Sequence, residues 1–171
     1  KFVITLANYC LDVGYEALNE RRWDDAFDSF LEAARLYQRD PMITETGWKR
    51  DQRLRGLRLA IQAATSGVLD SHKYSLSHTI CLGAVERRVA THLQRQLPIH
   101  QIREFIRESY YIQMATHLLD IGQRGDFLQF YEDAPDQVVF PQWMKLRYYR
   151  EKSREFEKKA QTRSEDFFQA A

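Results

Sequence analysis

Residues 14–34 read Gly-Tyr-Glu-Ala-Leu-Asn-Glu-Arg-Arg-Trp-Asp-Asp-Ala-Phe-Asp-Ser-Phe-Leu-Glu-Ala-Ala, and two apolar periodicities meet in this stretch. On its N-terminal side Ala7, Cys10, Leu11, Gly14, Ala17 and Leu18 recur at three and four residues. That spacing draws one face of a helix, with small residues along it. On its C-terminal side Ala26, Phe27, Phe30, Ala33, Ala34 and Tyr37 draw a second such face. The charged break Asn19-Glu20-Arg21-Arg22 separates the two, Asp24 is placed to cap the second helix, and Pro41 closes the pair. Two amphipathic helices joined by so short a break predict an antiparallel αα-hairpin. Gly14 and Ala26 remove bulk where the backbones would cross. Trp23 and Phe30 supply the large apolar area such close packing needs beside it.

The same periodicity continues outward. A third helix is predicted from about Trp48 to Ser66, with Leu54, Leu57, Ile61 and Ala64 inward and Gly67 as its C-cap. A fourth runs from about Leu76 to Leu97, with Ile80, Ala84, Val85, Val89 and Leu93 inward, and Pro98 stops it. A fifth carries Ile102, Phe105, Ile106, Tyr110, His117 and Leu118 and ends near Gly122. Gly125-Asp126 reads as a turn with an N-cap before a short helix from Phe127 to Glu132. After a loop at 135–140, one long helix runs from Pro141 to the end. Leu146, Tyr149, Ser153, Phe156, Ala160, Arg163 and Phe167 alternate along it as a heptad-like seam, broken in polarity at Ser153 and Arg163.

With seven glycines and four prolines in 171 residues, the turns of an all-β barrel or sandwich are not provided for. The fold class expected is therefore all-α, as one helical domain over 1–171: a hairpin at 1–41, further helix pairs at 46–135 and a long C-terminal helix at 141–171. No run of about 18 apolar residues offers a membrane span. The first ten residues, with Asn8 among them, do not read as a signal peptide. Cys10 and Cys81 are too few for a disulfide framework. They read as packed thiols of a reducing, intracellular compartment.

The hairpin resembles a tetratricopeptide repeat (TPR) over roughly Ala7 to Gln38. Gly14 and Ala17 stand at the small and following inward positions of the family's first helix, and Trp23 at the turn. Ala26, Phe30 and Ala33 fit its Ala-x3-aromatic-x2-Ala second helix. Cys10 stands where the family often has Trp. The resemblance implies helix pairs stacked as a short α-solenoid or bundle, with the last helix as a cap. It also implies a partner groove lined by Asn8, Leu11, Tyr15, Leu18 and Asn19, suited to a partner helix or an extended peptide. Leu11 and Tyr15 replace the Lys and Asn with which some family members clamp a terminal carboxylate, so that mode is not expected here.

Catalytic chemistry has no constellation in the chain. His72, His78, His92, His100 and His117 form no metal-binding pair on a helix, and the glycines are isolated rather than gathered into a phosphate loop. No cofactor, metal or enzymatic activity is expected. With 25 basic and 24 acidic residues the whole chain has no bias toward polyanions. Two clusters depart from that balance: Lys49, Arg50, Arg53, Arg55 and Arg58, and the stripe Arg147, Arg150, Arg154 and Lys158. The expected function is a non-catalytic protein-interaction module or assembly subunit, with the C-terminal seam available for self-association. The alternative is an RNA- or RNP-associated helical protein using the basic clusters around Arg50–Arg58 and Arg147–Lys158.

Overall fold

The computed structural model describes residues 2–39 and 47–170, so the closing role given to Pro41 lies outside the described residues. Among the described residues there are seven α-helices and no strand. They are α1 (Phe2–Asn19), α2 (Trp23–Arg39), α3 (Gly47–Ser71), α4 (His78–Leu93), α5 (Ile99–Asp120), α6 (Arg124–Asp133) and α7 (Gln142–Ala170). The fold is all-α. The sequence reads as one helical domain; the chain gathers into two compact units, Lys1–Tyr110 and Tyr111–Ala171, with the boundary inside α5.

In the first unit α1 and α2 pack as an antiparallel hairpin. The contacts count down one helix as they count up the other: Tyr15 meets Phe30, and Tyr37 donates to Asn8 Oδ1. Gly14 faces the Phe30 ring so closely that a Cβ there would lie 2.6 Å from ring carbon Cε1. The turn is closed by Arg22 N–H donating to Ala17 O, with Arg21 in the left-handed region at φ 59°. The second helix begins at Trp23, so Asp24 lies inside its first turn rather than capping it, and pairs with Arg88 of α4. A carboxylate there still favours the helix through the dipole.

α3 runs past its predicted end at Ser66, and Gly67 is not its C-cap. A Cβ on Gly67 would meet Trp23 Cβ at 3.1 Å, and one on Gly56 would meet Phe30 O at 3.2 Å. These glycines are small so that α3 can lie close along α2. Ala60 and Ala63 continue the row and join Ala26, Phe30 and Ala33 in one cluster. Thr65, fully buried in α3, satisfies its hydroxyl by donating to Ile61 O at 2.8 Å.

α4 starts later than predicted because Ser77 caps it, its hydroxyl accepting from Ile80 N–H. Its buried stripe is Cys81, Val85, Val89 and Leu93, spaced four apart. Ile80, expected inward, is exposed: one residue along a helix turns a side chain by about 100°, off that stripe.

In the second unit Ala115, Phe127, Leu128, Val138, Phe140 and Met144 make the core. Tyr131 stacks on Phe140 at 4.4 Å and on Tyr148 at 4.3 Å. Gly122, at φ +77°, ends α5 as expected, with Gln123 N–H donating to Leu118 O. α6 begins at Arg124, so Gly125-Asp126 is its first turn and not a turn before it.

Candidate functional site

The five α1 residues expected to line a partner groove differ in burial. Leu11 is buried in the α1–α2–α3 cluster, and Leu18 packs against it. Tyr15 sets its ring edge-on to Phe30 at 5.4 Å, and its hydroxyl accepts from Arg55 Nη2 at 2.6 Å. Asn8 and Asn19 are exposed, Asn8 accepting from Tyr37. The open face of α1 carries instead Phe2, Leu6 and Tyr9, four and three residues apart. Sequence reasoning missed that face because the pattern around Gly14 dominated the helix.

The basic residues are largely engaged. Lys49 is buried, and Arg53 is half-buried. Arg55 is held by Tyr15, and Arg58 lies over the Phe105 ring at 4.8 Å. Arg50 is exposed. In the second unit Arg147 and Arg154 both approach Glu151 of α7, at 3.1 and 3.5 Å, and Arg124 of α6 lies 3.7 Å from it. The Glu151 side chain is 3% exposed. Arg150 and Lys158 are exposed. The two clusters belong to different compact units.

Both thiols and one histidine are shifted by burial. Burial pushes the Cys81 thiol up to about 11, and burial followed by the Glu32 charge raises Cys10. A protonated thiol is neither a nucleophile nor a ligand at neutral pH. Burial, then Arg107, lowers His78. Among the described residues no three His, Cys, Asp or Glu side chains gather as a metal site.

The feature that stands apart is α7, which has two apolar faces. The inner face packs on α6 through Met144 and Tyr148. Tyr148 Oη donates to Glu132 at 2.7 Å, and Lys152 Nζ donates to the same carboxylate at 2.9 Å. The opposite face presents Trp143, Leu146, Tyr149, Phe156, Phe167 and Phe168, with Trp143 52%, Phe156 75% and Phe168 76% exposed. From Lys152 to Gln169 every residue is exposed except half-buried Glu155. The predicted seam through Ser153 and Ala160 lies on this outer face. Patches of this extent rarely remain uncovered on monomers and mark interaction surfaces.

At the N-terminal end of that face is a cleft of about 410 Å3, lined by Leu119, Asp120, Trp143, Leu146, Arg147 and Arg150. Trp143 and Phe168 extend the seam at both ends and are legible three residues before Leu146 and one after Phe167. The cleft has no local signal, because Leu119 and Asp120 come from α5. No family model matches the chain, and neither a curated protein nor a solved structure is found similar to it.

Proposed function

We propose that this chain is a non-catalytic interaction module or assembly subunit, built from helix pairs of TPR-like type. Its docking surface is the outer face of α7, which takes a partner helix. The observation that carries this is the row Trp143, Leu146, Tyr149, Phe156 and Phe167, open along a helix whose other side is packed over Met144 to Glu151. An isolated helix as short as the stretch beyond Glu155 is marginal in water, about 12–15 residues being the lower bound. A second helix laid on the outer face supplies the missing packing, through anchors at three- and four-residue spacing.

The test is affinity capture from extract of the source cell, with and without nuclease and at low and high salt. The wild-type chain is compared with the Leu146→Lys, Phe156→Lys double variant. Both positions are exposed, so helix content by circular dichroism should be unchanged. The expected result is a protein partner that survives nuclease and salt and is lost with the double variant. A partner retained unchanged by the double variant overturns the assignment of this face. Loss of all binding on nuclease treatment replaces the reading with the RNA-associated one.

A further inference from the structure

We infer that the outer face of α7 is self-complementary and pairs with the same face of a second copy, the two helices running antiparallel. The inference rests on the reading of α7 as a docking face and names its occupant. Consider the register in which the two helices cross midway between Arg154 and Glu155. Tyr149 then faces Ala160 of the second copy, and Phe156 faces Ser153, so each large ring meets a small residue. The two breaks in the seam thus become the sockets. Leu146 lies along the aliphatic stem of Arg163, whose charge can stay in water. Phe167 arrives beside Gln142 and Trp143, at the cleft of about 410 Å3 whose lining includes Leu119 and Leu146. A cavity of roughly 150 Å3 holds a benzene ring, so a phenyl side chain fits this space. The knob lies at one end of the face and its socket at the other, which is what a two-fold contact requires.

The flanking charges favour the same register. Arg150 lies beside Glu157 of the second copy, and Lys145 beside Asp166, each contact occurring twice by symmetry. Lys152 approaches Lys159, but within each copy Glu155 holds both ammonium groups, at 3.9 and 3.1 Å. A parallel pair gains Lys152 beside Glu157 but loses along the seam. It sets Arg163 against Arg163, Phe156 against Phe156, and Lys145 beside Arg150. The area is also adequate. Each aromatic side chain can bury roughly 150–250 Å2, and this face holds five that are more than half exposed. Covering them on two copies brings the interface into the range of about 1,200–2,000 Å2 seen for specific contacts.

Sedimentation equilibrium of the 171-residue chain, with charge reversals at Arg150 and Glu157, tests the pairing. The wild type is expected to dimerise. Arg150→Glu alone and Glu157→Arg alone each set like charges across the interface twice, and each should weaken the dimer by about tenfold or more. The combined variant should recover the wild-type constant. Unchanged circular dichroism shows that the fold survives. A chain that stays monomeric at high micromolar concentration overturns the pairing, as does a dimer indifferent to the reversals. A dimer tightened by Arg150→Glu, which a parallel pair would show through Lys145, also overturns it. A monomer leaves the docking-face reading standing, since capture of a different protein tests that separately.

Discussion

Gly14 and Gly83 are both helical glycines, and what differs is the space around them. A Cβ on Gly83 meets nothing within 4 Å, whereas one on Gly14 enters the Phe30 ring. Alanine exceeds glycine in helix propensity by about 1 kcal/mol, and an overpacked contact costs about 1–3 kcal/mol. Gly83→Ala should therefore raise the unfolding free energy in urea by about 0.5–1 kcal/mol. Gly14→Ala should lower it by about 1–2 kcal/mol despite the propensity gain. Equal effects at the two sites would mean that Phe30 does not press on Gly14. The Gly14–Phe30 contact was legible in sequence because both residues belong to one small–large pattern. Gly67 was not, because a glycine that ends a helix and one that admits a neighbouring tryptophan look alike until the neighbour is known. The thiols give a second prediction at this scale. Cys81 has its folded value raised, so its protonated form is favoured by folding. That contribution is present below the unfolded value of 9.0 and is lost as pH rises through about 11. Alkylation at neutral pH should reach Cys81 only after denaturation.

At the scale of elements, the docking of α7 on α6 combines stacked rings with a carboxylate shared by Tyr148 and Lys152. The hydrogen bond from Lys152, then that from Tyr148, holds Glu132 below the ordinary carboxylate range. A depressed folded value means stability present above the unfolded value of 4.5 and lost as pH falls through the folded one. Glu132→Gln should flatten that part of the acid limb in thermal melts across pH, by lowering the melting temperature at neutral pH while leaving the acid end unchanged. Glu151 is the larger effect. It is buried among three arginines that are 36–57% exposed, so their solvation moderates the loss. Glu151→Gln should destabilise the chain by about 1–2 kcal/mol in chemical denaturation. No change would mean that the arginines find water without strain. Helix existence and order were readable from periodicity. The capping assignments at Asp24 and Asp126 were not, because an acidic residue serves equally well inside the first turn. Of the α1 groove residues, Leu11 and Tyr15 lie on a face that α2 and α3 also use, which the spacing within one helix does not reveal.

On the scale of the whole molecule, the all-α class followed from apolar spacing together with the scarcity of Gly and Pro. The division into two units at Tyr110 had no such signal, since α5 continues across it without a break. The outer seam of α7 was legible as a pattern; that it stays open depends on which side of the helix α6 takes, which only packing decides. The central claim is that this face is covered by the same face of a second copy when the protein assembles. Hydrogen–deuterium exchange of the amides in 153–168, followed as protein concentration rises, tests it most directly. Amide protection reports local opening. It should be weak in dilute solution and should grow with concentration over Ser153 to Phe168, while α2 and α3 stay equally protected throughout. Exchange in that segment that is unprotected and independent of concentration would contradict the account.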